Sequence, residues 1–234
     1  MTESQIIVTG ASRGIGRAVA TELARRGFAV VGLSRSGEVP AGRGIRCDVS
    51  NEAALKQAIA GVAQAGPIVG LVNNAGVHAT GPSAELSTED YESMMRVNAT
   101  SVMIACREVH PFLKQAGRGI IVNMGSFFDK LGAAEQLAYC VSKAALGAMT
   151  RVLAVEWARD GISVLNVAPG YIRTDFSPMW EDERAVSWLE KRVPLGRGGE
   201  PEEVARLIGA LYSEDIPFLT GETIYVDGAH ALNH

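Results

Sequence analysis

The sequence holds little of what builds metal centres or covalent cross-links. Its three cysteines, Cys47, Cys106 and Cys140, are widely spread and share no paired spacing suited to zinc or a redox motif. The expected state is three reduced thiols in a cytoplasmic protein. The four histidines, His78, His110, His230 and His234, are equally scattered, with no HExxH-type pair. No metal site is therefore expected.

Other absences narrow the function class. Net charge is −4 and no dense run of lysine or arginine occurs, so nucleic-acid binding lacks electrostatic support. No uninterrupted apolar run reaches bilayer length, and no membrane association is expected. The opening MTESQIIVTG has no basic segment followed by a long apolar one, so it does not read as a signal peptide. No linker, internal repeat or low-complexity tract is present.

What remains is ordinary globular material: 234 residues, 47% apolar and 21% charged. That length suits one large α/β domain over residues 1–234. Seven short apolar segments read as strands: QIIVTG, FAVVGLS, GIRCDV, PIVGLVNNAG, GIIVNMGS, ISVLNVAPG and TIYVDG. Helical patterns lie between most of them. One starts in RGIGRAVATELARRG, with Gly27 as a terminating residue. A second follows Asn51 as N-cap. A long one over about Thr88–Gln115 is broken or bent. Another covers about Gln136–Arg159, and a last one opens with Pro201 at its first turn. Strands apolar throughout, alternating with helices, predict a doubly wound parallel sheet covered on both faces, a Rossmann fold. The least regular region, Ser177–Gly199, reads as a substrate lid with one or two short helices.

The first strand runs into TGASRGIG, with Gly10, Gly14 and Gly16 at a strand-to-helix turn. Such a turn lets backbone N–H groups and the positive end of a helix approach a pyrophosphate. The second strand ends in Ser34 and Arg35, where an acidic residue would otherwise accept hydrogen bonds from a ribose 2′-hydroxyl. With Arg13 in the glycine turn, these residues favour a 2′-phosphate. NADP(H) is the preferred cofactor and NAD(H) the alternative.

TGASRGIG, then NNAG (Asn73 to Gly76), then YCVSK occur in this order, and with them the chain resembles the short-chain dehydrogenase/reductase family over nearly its full length. The resemblance implies a catalytic set of Asn98 in RVNAT, Ser126 in VNMGS, Tyr139 and Lys143. It implies cofactor contacts from Gly10, Ser12, Arg13, Gly14, Ile15 and Gly16 in the turn. Further contacts are implied from Ser34, Arg35, Asp48 and Val49, and from Asn74, Ala75 and Gly76. Tyr139 and Lys143 are implied as contacts too, as are Pro169, Gly170, Ile172 and Thr174 in APGYIRT. By resemblance Lys143 also contacts the nicotinamide ribose, and Asn98 supports a water chain to Lys143. The closing LTGETIYVDGA looks like the end of the 3-oxoacyl carrier-protein reductases. Only about ten residues separate the second and third strands, so the helix many relatives carry there is expected to be missing.

The residues themselves supply a chemistry. Tyr139 and Lys143, four apart, share one helix face at about 6 Å between Cβ atoms. A free tyrosine, with a pKa near ~10, is a poor base at neutral pH, and a nearby ammonium is expected to lower that value. Tyr139 then exchanges a proton with a carbonyl or alcohol oxygen, and Ser126 holds the same oxygen. The cofactor carries the hydride.

The expected function is NADP(H)-dependent transfer of a hydride between the nicotinamide and a carbonyl or secondary alcohol. A 3-oxoacyl thioester is the first substrate expectation. A small or cyclic secondary alcohol, ketone or sugar, with NAD(H), is its rival, favoured by the bulky SFFDKLG after the serine. A non-catalytic nucleotide sensor and a lyase or epimerase are the readings from other classes. Phe127, Phe128, Trp180 and Trp188 read equally as a substrate wall or as ordinary packing, and His78 as a pocket-lining or surface residue. A homotetramer or homodimer is expected, because relatives usually form one and the helices around Val102 and Val152 have apolar faces.

Overall fold

A computed structural model describes residues 4–214 and 216–233 of the chain; His234 lies outside them. Seven strands form one parallel sheet: β1 (Gln5–Thr9), β2 (Ala29–Ser34), β3 (Arg43–Arg46), β4 (Ile68–Asn73), β5 (Gly119–Met124), β6 (Ile162–Pro169) and β7 (Thr223–Val226). The order across the sheet is β3-β2-β1-β4-β5-β6-β7. The chain first winds outward from β1 to β3, then returns and winds the other way from β4. The reversal lies between β1 and β4, which opens a crevice at the carboxyl ends of those strands.

The strands are apolar on both faces because both are covered. In β1, Ile7 faces one core with α2 (Glu52–Ala65), α4 (Ser101–Ala116) and α5 (Leu137–Trp157). Its neighbours Ile6 and Val8 face the other, with α1 (Gly14–Arg25) and α7 (Pro201–Ser213). The two-residue side-chain period of a strand divides them in this way. All three residues are fully buried, and each contributes about 1.5–3 kcal/mol of transfer free energy. The local signals hold. The Asn51 side chain accepts a hydrogen bond from the Ala54 N–H at 3.0 Å, and Gly27 sits at φ +89° just past α1. Pro201 and a reciprocal Glu200–Glu203 capping box open α7.

Three boundaries need comment. The long helix expected over Thr88–Gln115 is divided: α3 (Thr88–Met95), a π-helical turn (Arg96–Thr100) and then α4. The third strand stops at Arg46, before Cys47 and Asp48. There the Asp48 carboxylate accepts hydrogen bonds from the Ser50 N–H (2.9 Å) and hydroxyl (2.7 Å) and turns the chain. Residues 35–42 join β2 to β3 with no helix, as expected. Val39 fills part of the space, and a Cβ added at Gly32 would collide with its side chain.

The helical stretch Leu137–Asp160 is long and apolar enough, by length and composition alone, to cross a bilayer. Its apolarity instead serves the core: Ala138, Leu146, Gly147 and Ala154 are buried in it, and the stretch packs on β6. The segment between β6 and α7 holds a short 3-10 turn (Pro178–Glu181) and α6 (Glu183–Arg192). Its base is tied by backbone hydrogen bonds between Gly199 and both Tyr171 (2.9 Å) and Arg173 (2.9 Å).

Candidate active site

A cleft of about 520 Å³ lies at the carboxyl ends of the central strands. At its phosphate end the backbone comes close because side chains are missing. Gly10 and Gly14 adopt positive φ (+67° and +53°), a region favourable to glycine. A Cβ at Gly16 would strike the Gly10 carbonyl and the Asn74 amide. Arg13 precedes α1 as N-cap with no side-chain cap, so first-turn N–H groups face the cleft without a side-chain acceptor. This cradle fits a dinucleotide pyrophosphate. The NNAG turn is stapled beside it by Thr9, whose hydroxyl accepts from the N–H groups of Asn74 and Ala75, both at 3.0 Å. The Asn74 side chain in turn donates to the carbonyls of Thr9 and Gly10.

Nearly all the expected site residues line this one cleft. They are Gly10, Ser12, Arg13, Gly14 and Ile15, then Ser34, Arg35, Asp48 and Val49. Asn74, Ala75 and Gly76 follow, with Ser126, Tyr139, Lys143, Pro169, Gly170, Ile172 and Thr174. Gly16 and Asn98 stand behind the surface and shape it. Ser34 lines the cleft but its hydroxyl is committed, accepting from the Gly37 N–H at 3.0 Å and donating to the Glu38 carbonyl at 3.2 Å. The two guanidinium groups, Arg13 and Arg35, are exposed at the cleft. Asp48 is held below the usual carboxylate range chiefly by its two hydrogen bonds from Ser50, with a smaller pull from Arg35.

At the other end, Tyr139 and Lys143 emerge from one face of α5, both buried. The Lys143 Nζ donates to the Met124 carbonyl at 2.8 Å and stands 5.7 Å from the centre of the Tyr139 ring. The expected lowering of the tyrosine pKa is not what the site shows. Burial pushes Tyr139 up to about 12, opposed by the Ser126 hydroxyl beside it. Burial brings Lys143 down to about 8. Each group loses more hydration on burial than the other restores, so both move toward their neutral forms. The phenol is held protonated at neutral pH.

Asn98 lies in the π-helical turn, a local irregularity frequent at functional sites. Its side chain is saturated. It accepts from the Val77 N–H (2.8 Å) and donates to the Val77 carbonyl (2.9 Å) and the Ser142 hydroxyl (3.1 Å). Ser142 in turn donates to the Tyr139 carbonyl at 2.8 Å. Asn98 thus ties the segment after β4 to the helix that bears Tyr139.

The four aromatic residues weighed as a substrate wall turn out differently from one another. Phe127 is buried, and Phe128 meets the Tyr139 ring edge-on at 6.1 Å. The Trp180 Nε1 donates to the Ile172 carbonyl at 3.1 Å, anchoring the segment beyond β6, and Trp188 packs on Tyr171. None of these four lines the cleft, whereas Phe176 does. The sequence reading missed Phe176, and also Thr9, Ser36, Ser50 and Val77. For Thr9 a signal existed, a polar residue closing an apolar strand just before a glycine turn. For Phe176 there was none.

Comparison with known proteins agrees with this geometry. A family model described as enoyl-(acyl carrier protein) reductase matches residues 10–229. Glucose 1-dehydrogenase of Gluconobacter oxydans is 36% identical, over 97% of this chain and 92% of that protein. The 3-oxoacyl-(acyl-carrier-protein) reductase FabG of Vibrio cholerae is 34% identical over 95% of each chain. Among solved structures, a gluconate 5-dehydrogenase of Burkholderia cenocepacia in complex with NADP and tartrate superposes with a TM-score of 0.92 at 30% identity. That superposition covers 100% of this chain and 97% of the other. With the sheet order, the glycine cradle and the buried Tyr139–Lys143 pair in one cleft, the chain belongs to the short-chain dehydrogenase/reductase family of NAD(P)-dependent oxidoreductases.

Proposed function

We propose that the protein is an NADP(H)-dependent carbonyl reductase or alcohol dehydrogenase with Tyr139 as its acid/base. One observation carries the reading: Tyr139, Ser126 and Lys143 share a single cleft with a helix start that has no side-chain cap and two exposed arginines. When bound, the nicotinamide supplies or accepts the hydride. The chain does the rest. The turn Gly10–Gly16 holds the pyrophosphate, Arg13 and Arg35 pair with a 2′-phosphate, and Asp48 and Val49 border the adenine. Ser126 donates to the substrate oxygen, and the protonated Tyr139 delivers the proton as that oxygen gains charge. Lys143 holds the ribose and passes a replacement proton toward the phenol. In the oxidative direction Tyr139 accepts the alcohol proton, and its raised pKa makes that direction favour alkaline solution.

For the substrate, a compact ketone, cyclic or hydroxylated, stands ahead of a 3-oxoacyl thioester. Phe176 lines the cleft together with Tyr139, an apolar ring suited to a compact substrate. The thioester remains the second reading, supported by the closing LTGETIYVDGA and the similarity to FabG. The segment Ser177–Gly199, tied at its base, serves as the lid of a single domain spanning residues 1–234. Val141, Val152 and Val155 on the outer face of α5 are exposed, Val155 by 81%. A homodimer or homotetramer would cover them, with α4 beside α5. A cytoplasmic location completes the reading.

The test is a fluorescence titration with NADPH and NADH, followed by a panel of ketones, sugars and acetoacetyl thioesters. The expected result is tighter NADPH binding and oxidation on compact ketones. Equal binding of both cofactors would remove the NADP(H) assignment. Tight binding without oxidation across the panel would return the sensor reading.

A further inference from the structure

The cleft carries apolar surface that the proposed hydride transfer does not itself use. Among the described residues, two large apolar side chains are exposed and line it: Val77, 38% exposed, and Phe176, 42% exposed. They come from different parts of the chain. Val77 follows β4 and the NNAG turn, and Asn98 grips both of its backbone groups at 2.8 and 2.9 Å. Phe176 lies beyond β6. Two residues before it, Thr174 stands against the phosphate turn, 3.5 Å from where a Gly14 Cβ would be. The Thr174 hydroxyl accepts from the Phe176 N–H at 3.3 Å. The His78 ring, next in sequence to Val77, neighbours both the Tyr139 ring (4.7 Å between centroids) and the Phe176 ring (5.9 Å). The strap Thr174–Phe176 thus runs from the glycine turn toward Tyr139, and Phe176 and Val77 flank that end of the cleft.

Polar side chains are few there. From Val77 onward, the lining groups other than glycines and Ser126, Tyr139 and Lys143 are mainly apolar: Val77, Val97, Met124, Pro169, Ile172 and Phe176. Two are polar. The Thr174 hydroxyl holds the Phe176 N–H, and Asp175 is exposed. Against such a wall a substrate rich in hydroxyls would leave most of them without partners, and each unpaired group carries a desolvation cost. A hydrocarbon body would instead take the exposed Phe176 ring and Val77 methyl groups out of water, which is favourable in proportion to the area covered. Apolar walls around a few placed polar groups are the common build of a small-molecule site.

We infer that Phe176 and Val77 are specificity-determining residues whose apolar surfaces hold the hydrocarbon body of the substrate beside the reacting carbonyl. The substrate class is a compact ketone with an apolar ring, or the matching secondary alcohol in the oxidative direction, and not a polyhydroxylated one. Ser126 and Tyr139 hold the reacting oxygen, and the lip selects what is attached to it. This inference rests on the acid/base role given to Tyr139 above and narrows the substrate of that same site. Phe176 contributes the larger share, since its ring offers more surface than the valine.

The experiment compares cyclohexanone with 1,3-dihydroxyacetone, each reduced with NADPH by wild type, Phe176→Ser and Phe176→Leu. The wild type is expected to favour cyclohexanone. In Phe176→Ser the ratio of kcat/KM values, cyclohexanone over dihydroxyacetone, should fall about tenfold, carried mainly by the KM for cyclohexanone. Phe176→Leu, which keeps an apolar side chain, should retain most of the ratio. A wild-type preference for dihydroxyacetone would overturn the inference. So would an unchanged ratio or an equal loss on both ketones. An unchanged ratio with weakened NADPH binding would show that the ring covers the cofactor instead. If the wild type reduces neither ketone, the proposed reaction is at fault, and binding then decides for the lip. Saturation-transfer NMR should show cyclohexanol bound to the wild type and bound about tenfold more weakly by Phe176→Ser. No binding to the wild type, or equal binding to both proteins, would overturn the inference by itself.

Discussion

The two ends of the cleft are built from opposite materials. The phosphate end is backbone: three glycines, an uncapped helix start and a threonine staple, with its charged side chains exposed at the rim. The proposed catalytic end is side chain: a phenol, an ammonium, a serine and an asparagine, all buried. Binding a polyanion needs many donors in fixed positions, which main chain supplies without ordering flexible side chains. Moving a proton needs a group whose affinity for it has been displaced, and burial supplies that. A change at one end should therefore leave the other largely intact.

The largest break should come from Tyr139→Phe. Turnover is expected to fall by about 10²- to 10⁴-fold, the usual worth of a positioned acid/base, while the NADPH dissociation constant stays within about twofold. Near-normal turnover would remove the tyrosine from the chemistry.

Next is Lys143→Met, read through pH. The lysine has a folded pKa of about 8 against an ordinary 10.5. Between those values the unfolded chain holds the proton and the folded one does not, so this group adds stability as pH rises through the window. Tyr139 and Cys106, both raised by burial, act with the opposite sign in more alkaline solution. The urea midpoint of wild type minus that of Lys143→Met isolates the lysine, and it should climb from pH 8 to 10. A flat difference would mean Lys143 stays charged in the fold.

A smaller effect belongs to the rim. Arg35→Ala should weaken NADPH binding about tenfold and NADH binding little, since only the 2′-phosphate needs the charge. Equal losses for both would show that Arg35 does not read that phosphate. Smallest of all, Asn51→Ala removes the α2 cap far from both ends. It should cost about 1 kcal/mol of stability by urea titration and leave kcat and both cofactor affinities unchanged.

The contrast also explains what could be read from the letters. A backbone cradle announces itself, because glycines at a strand-to-helix turn have few other uses, and Gly10, Gly14 and Gly16 were legible at once. Tyr139 and Lys143 were legible through their helical spacing, and Ser126 and Asn98 only through family resemblance. Environment was not legible. The spacing of Tyr139 and Lys143 suggested mutual stabilisation of charge, whereas desolvation, a property of everything packed around α5, drives both toward neutrality. Phe176 escaped for a related reason. It reaches the cleft through the path of the chain beyond β6, which no local pattern encodes. Strand and helix identities came through, and their ends shifted where a side chain such as Asp48 turned the chain earlier than its apolar neighbours implied.

The link between β2 and β3 closes the edge of the sheet without a helix. A parallel crossover normally takes a dozen residues or more and lays a helix over the strands it joins. Residues 35–42 are too few for that, so the cover is lost. The strand beneath needs little cover: Gly32 offers no side chain, and Val39 and Ala11 close over the position it leaves. With nothing projecting from the strand at Gly32, eight residues of link close the surface that a crossover helix would otherwise have to span.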